Sequence, residues 1–132
     1  MHTKFHRISE KQYRSIIKSA DENSVFIAEI DGTIINNLDD YLSAIWRAFK
    51  FPSTGHINFY AYLDWIRDLD WIDKDQFALV IRNFDNLLAQ SQKDKEIIID
   101  SLEKAVIPWW ESEIKQYQVD GKPKPFNIYV IV

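Results

Sequence analysis

The sequence predicts an α/β fold, a three-stranded parallel sheet packed with helices, with an additional helix at the N-terminus. Three observations predict it. First, the apolar runs "SVFIAEI" (24–30), "QFALVIRN" (76–83) and "FNIYVIV" (126–132) have the length and composition of buried strands. Second, segments with apolar residues at helical spacing separate these runs. Third, strands joined through helical crossovers pair in parallel and are covered by those helices.

The first predicted helix spans 9–20. Ser9 with Gln12 forms a capping box, Ile8 staples onto Tyr13, and Tyr13, Ile16, Ile17 and Ala20 repeat at helical spacing. "ADEN" ends it, the strand 24–30 follows, and Asp31-Gly32 is a turn. A second helix covers 38–49. Asn37 caps it, and Leu38, Tyr41, Leu42, Ile45 and Phe49 lie on one face. Pro52 forces extended chain before a third helix at 59–69, capped by Asn58. After the strand 76–83, a long helix spans 92–117 with Ile98, Leu102, Ala105, Val106 and Trp109 on one face. Pro108 lies inside that pattern and deletes a backbone donor, so it should kink or split the helix. "DGKPKP" (120–125) is a turn into the last strand.

A length of 132 residues suits one domain, 1–132, with an N-terminal helical extension at 1–22 and a core at 24–132. There is no cysteine, hence no disulfide frame, thiolate zinc site or cysteine nucleophile, which fits a reducing, cytoplasmic setting. The polar start "MHTKFHRISEKQYR" lacks the apolar stretch of a secretory signal, and no run reaches the length of a membrane span. A net charge of −4 argues against nucleic acid or an anionic membrane as the main partner and suits a basic protein. Five tryptophans and 14% aromatic residues exceed what a core of this size needs, and such rings are favoured at binding hot spots.

Catalytic patterns fail on inspection. "FIAEIDGTIIN" resembles the D-x-D-G-T opening of haloacid dehalogenase phosphatases, but Glu29 stands where the nucleophilic aspartate belongs. One extra methylene moves the attacking oxygen by about 1 Å, which can cost about 10²-fold. His2 and His6 are four residues apart in a terminal tail with no third metal ligand. With three glycines there is no phosphate-binding loop. The expectation is no enzyme, no catalytic residue, no metal and no cofactor.

The segment "FPSTGHINFYAYLDWIRDLDW" (51–71) mixes acids with rings. On a helix, Phe59, Tyr62, Ile66 and Leu69 form the buried stripe, and Tyr60, Leu63, Asp64, Arg67 and Asp68 face outward. Apolar groups beside acids on an outward face suit docking better than solubility.

The stretch from 28 to 71 resembles the barstar family of ribonuclease inhibitors. It carries Asp31-Gly32, Phe51-Pro52, Asn58, Ala61, Asp64, Ile66, Asp68 and Leu69 in the family's register without a gap. The weaker remainder of the resemblance reaches from 24 to 132. It implies a cytoplasmic, bacterial immunity protein of toxin–antitoxin type, which binds its toxin one to one and plugs the active site of a basic ribonuclease. Docking would fall on residues about 53–68. By resemblance, Asp64 is the leading docking carboxylate, and Leu63 takes a contact position that is tryptophan in the family prototype. Tyr60 replaces a second docking aspartate, and His56 replaces a loop glycine. An acid of the last helix corresponds to Glu111. Asn58, Arg67 and Asp68 complete the expected partner-binding set. The competing reading is a general protein-interaction domain on the same fold with a partner that is no nuclease.

Overall fold

The structure is a computed structural model that describes residues 4–21, 23–53 and 55–132. It is α/β, but the parallel sheet has four strands, not the expected three, in the order β1-β4-β3-β2. The strands are β1 (Phe5–Ile8), β2 (Val25–Asp31), β3 (Gln76–Arg82) and β4 (Phe126–Ile131). The extra strand comes from the segment read above as a tail. β1 pairs in parallel with β4 from Phe5↔Ile128 to Ile8↔Ile131. His6 is therefore a sheet residue. Its ring stacks on Tyr129 at 5.1 Å and its Nε2 lies 3.2 Å from Asn127 Oδ1. His2 lies outside the described residues.

Helix α1 (Glu10–Ser19) starts as its sequence dictates: Ser9 Oγ accepts from Gln12 N–H, and Gln12 Oε1 accepts from Ser9 N–H. It packs Tyr13, with Ile8 and Ile17 beside it, onto Val80, Ile131, Ile27 and Tyr129. The remaining helices use the opposite face of the sheet, where Leu79, Ile81, Ala28, Ile30, Ile128 and Val130 join the main core. Strand order explains the division. The chain crosses from β1 to β2 in one direction and returns through β3 to β4 in the other. Keeping every crossover right-handed then places α1 on one face and the later helices on the other.

Burial and the neighbouring Glu29 carboxylate push the Tyr13 hydroxyl up to about 12, and that hydroxyl donates to Glu29 Oε1 at 3.3 Å. Arg82 pairs with both Glu29 and Glu10, so Glu29 is tied into the joint between α1 and the sheet. Asp31 Oδ1 accepts from Thr33 N–H at 2.9 Å and Asn83 Nδ2 at 2.8 Å. Both acids of the phosphatase-like motif thus hold structural partners, and Gly32 opens a short 3₁₀ turn, Gly32–Ile34. A Cβ at Gly32 would lie 2.4 Å from Asn83 O, so only glycine fits there.

Helix α2 (Leu38–Ala48) is capped by Asn37, whose side chain accepts from Asp40 N–H. Helix α3 (Phe59–Ile66) ends three residues earlier than expected. Leu69 is fully buried, as the apolar spacing implies, but in a left-handed turn (φ 56°) that cannot continue a helix. Trp110 Nε1 donates to Ile66 O at 3.0 Å and satisfies a carbonyl that the helix end leaves open.

The long C-terminal helical run stays continuous from 92 to 117 despite Pro108. It consists of α4 (Gln92–Asp100), two π-type segments (Ser101–Val106 and Trp109–Glu113) and α5 (Ile114–Tyr117). Ile107 N–H reaches back to Leu102 O, and Ile114 N–H to Trp109 O, five residues each. These wide turns flank the proline and absorb its missing donor, so of the two expected outcomes, a kink or a split, the split does not occur. In the core, Tyr41, Tyr62 and Ser101 join α2, α3 and the long run through a buried hydroxyl chain. Among the described residues, no helix is long and apolar enough to cross a membrane.

Candidate docking face

Helix α3 is presented to solvent by its cap and its buried stripe. Asn58 Oδ1 accepts from Ala61 N–H at 2.9 Å, and its Nδ2 donates to His56 O, which fixes the entry of the loop. Trp46 Nε1 holds that loop from below through Ser53 O. Tyr62 and Ile66 point into the core with no exposed surface. The sequence then turns Tyr60 and Asp64 outward: Tyr60 is 81% exposed, as is the Asp64 side chain. Leu63 is half-buried and His56 is exposed. Thr54, inside the predicted docking loop, lies outside the described residues.

Two hollows flank α3. One is apolar, about 410 Å³, between Phe59 and Leu63 of α3 and Ile97, Ser101 and Ala105 of the long run. The other is an acidic and aromatic groove of about 490 Å³. Asp64, Arg67 and Asp68 form one wall, and Trp109, Glu113, Tyr117 and Gln118 form the other. Arg67 Nε donates to Leu63 O at 3.2 Å, and its guanidinium lies 5.4 Å from the Trp109 ring centroid. Its Nη2 is 4.0 Å from Asp64 Oδ1, a long and solvent-exposed pair that contributes little. Tyr117 stacks on Trp109 at 6.0 Å with 14° between the rings. Trp109 Nε1 is buried without an acceptor.

Burial, followed by the adjacent Asp70 carboxyl, raises Asp68 above the usual carboxylate range. Asp68 also lines a second hollow of about 480 Å³ with Asp70, Asp73, Asp120, Lys122 and Lys124. The acidic surface therefore continues past the end of α3. Among the described residues, no cluster of histidine and acid side chains could hold a metal ion.

Of the predicted docking residues, Asp64, Arg67 and Asp68 meet in one groove, while Tyr60, Leu63 and His56 lie along the helix and loop beside it. Glu111 is exposed on the long run but does not line the groove; Glu113 does. The reason is helical geometry. Trp109, Glu113 and Tyr117 sit at i, i+4 and i+8 on one face, whereas Glu111 projects from another. That spacing was present in "WWESEIKQY", but the register across Pro108 obscured it.

A family model described as "Barstar (barnase inhibitor)" matches residues 25–127. No curated protein and no solved structure matches the chain. The match starts beyond α1, so β1 and α1 precede the part of the chain that the family describes.

Proposed function

The chain belongs to the barstar family, and on that premise we propose that it inhibits a basic ribonuclease toxin by seating α3 and its preceding loop in the enzyme's active site. The observation that carries this reading is Asp64, a largely exposed carboxylate on the rim of an acidic, aromatic groove. A nuclease cleft is lined by arginine, lysine and histidine that hold phosphates. A carboxylate accepts the same forked hydrogen bonds, so a fixed row of carboxylates can stand in for RNA. Asp64 supplies that row from α3 and Asp68 from the turn just after it, and Glu113 adds to it from the long run. Glu111 lies on another face of the long run, outside this groove.

Tyr60 and Leu63 provide apolar contact next to the charges, the arrangement of an interface core with a polar rim. His56 and Asn58 shape the loop that enters first. The excess of acid over base steers a basic enzyme towards this face. The complex is one to one, with the inhibitor acting in the cytoplasm of a bacterial producer before the toxin is exported. It acts by occlusion, without catalysis, metal or cofactor.

The test uses wild-type protein and Asp64→Ala as paired baits in an extract of the source cell. A small basic nuclease captured by the first and lost from the second supports the reading; equal capture by both removes Asp64 from the site. One observation favours a second reading. Tyr60, where the family carries a docking acid, leaves a large exposed ring on α3. A partner that is acidic or does not cleave RNA would make this face a general protein-interaction surface.

A further inference from the structure

Strand β2 stands last in the sheet order, so one of its sides has no neighbouring strand. The hydrogen bonds fix which residues face that side. Ser24 O accepts from Gln76 N–H at 3.0 Å, on the β3 side. Main-chain groups alternate along a strand, so Phe26, Ala28 and Ile30 also turn theirs towards β3, while Val25, Ile27, Glu29 and Asp31 turn theirs outward. Burial agrees, since Ala28 is only 1% exposed. Among the described residues, the outward main-chain groups of Val25, Ile27 and Glu29 have no hydrogen-bond partner. Such an edge is a template for another strand unless it is short, bulged, or guarded by lysine or proline. The opposite edge, β1, is four residues long and carries Arg7. β2 runs for seven residues and carries neither lysine nor proline. Its two acids already hold partners within the chain, Glu29 with Arg82 and Asp31 with Asn83. On the helix side of the edge lies a hollow of about 330 Å³, lined by Ile30, Ala44, Ala48 and Ile34, the last 62% exposed.

We propose that the outer edge of β2 pairs antiparallel with β2 of a second copy of this chain, about a two-fold axis at Ala28, joining two four-stranded sheets into one. The strand is self-complementary in that register. Ile27 lies opposite Glu29 of the second copy, and Val25 opposite Asp31, so outward groups meet outward groups and no like charges are directly opposed. On the helix side Phe26 lies opposite Ile30, an aromatic and β-branched pair beside the hollow that Ile30 lines. A slip of one residue would oppose outward groups to inward ones. A slip of two residues one way sets Glu29 against Glu29, and the other way leaves part of the strand unpaired. The two-fold axis closes the assembly at two copies, because each copy spends its one long edge. No residue of α3 or its groove takes part, so the pairing is independent of the docking reading. One strand pair buries less than about 1,200 Å², the size of weak and transient interfaces, which corresponds here to a Kd of roughly 100 µM.

The experiment compares the full chain at about 1 mM and about 20 µM, on either side of that Kd, by sedimentation velocity and amide hydrogen exchange. The expected result is a dimer at the higher concentration and mostly monomer at the lower. The Ile27 and Glu29 amides should exchange roughly four-fold more slowly in the concentrated sample, the ratio of monomer fractions at that Kd, while Ala28 and Ile30 stay unchanged. Val25 packs against neither core cluster, so its substitution leaves the fold intact. Val25→Glu sets a carboxylate opposite Asp31 of the second copy and should abolish the dimer, whereas Val25→Lys should retain or tighten it. A chain that stays monomeric at the higher concentration would overturn the proposal, as would equal dimerisation of Val25→Glu and Val25→Lys. A dimer in which the Ile27 and Glu29 amides still exchange freely would place the contact on another face. Slow exchange of both amides at both concentrations would mean that the edge is covered within one copy. Slow exchange that appears only on adding the protein captured by the Asp64 baits would give the edge to that partner; each of these three results also overturns the pairing.

Discussion

The buried hydroxyl chain that seats α3 has a direction, and the direction makes Tyr62→Phe more damaging than Tyr41→Phe. Ser101 Oγ has one proton and gives it to Ile98 O at 2.7 Å. Tyr62 must therefore donate to Ser101 Oγ at 3.0 Å, and Tyr41 must donate to Tyr62 at 2.9 Å. Both tyrosines are fully buried, and burial holds both hydroxyls in the protonated form, Tyr62 at about 12. Tyr62→Phe deletes two hydrogen bonds and strands the Tyr41 donor in the core. The stranded donor costs about 1–3 kcal/mol and the Ser101 bond about 1 kcal/mol, so the total is about 2–4 kcal/mol. Tyr41→Phe strands no donor, because Tyr62 still donates to Ser101, and it costs about 0.5–1.5 kcal/mol. Urea unfolding followed by circular dichroism measures both. The Tyr62→Phe midpoint should fall by roughly 1–2 M, well below that of Tyr41→Phe. Equal losses, or a loss below about 1 kcal/mol for Tyr62→Phe, would refute the directional chain.

Three further outcomes are expected. Gly32→Ala should lower stability by about 1–3 kcal/mol in the same unfolding assay, because its Cβ meets the backbone of Asn83 and Leu87; an unchanged midpoint would show that the turns after β2 and β3 are not in contact. Asp68→Asn should stabilise the free protein at neutral pH: a carboxyl whose folded value is raised favours the protonated state, so the gain should vanish as pH falls below the ordinary carboxylate value. A gain that persists in acid would sever it from ionisation. Finally, stopped-flow association with the partner should slow as salt rises, and a rate indifferent to salt would rule out electrostatic steering.

The local signals in the sequence proved sufficient for most elements. Ser9, Asn37 and Asn58 cap the helices that their spacing announces, and three apolar runs form β2, β3 and β4. β1 escaped because "FHRI" is short and half polar; its strand character comes from pairing with β4, a partner some 120 residues away. The end of α3 escaped because Leu69 keeps the apolar period while its backbone turns left-handed. Pro108 disturbs the helix as its missing donor implies, but the run is not split in two, because wide turns flank it. Within the docking face, Asp64 and Asp68 were readable from one stretch of sequence, though only Asp64 lies on the helix and Asp68 follows its end. Trp109, Glu113 and Tyr117 were not, because the groove exists only where two distant segments pack together.

The central claim is that an α3 carboxylate plugs a ribonuclease. Its most direct test takes the protein captured by the wild-type bait, frees it from the complex and measures cleavage of a fluorogenic RNA while inhibitor is titrated back. Wild-type protein should abolish cleavage at one equivalent, and Asp64→Ala, equally stable, should require about 10- to 100-fold more, the span of one charged hydrogen bond. A captured protein that cleaves no RNA, or one silenced equally well by Asp64→Ala, would contradict it.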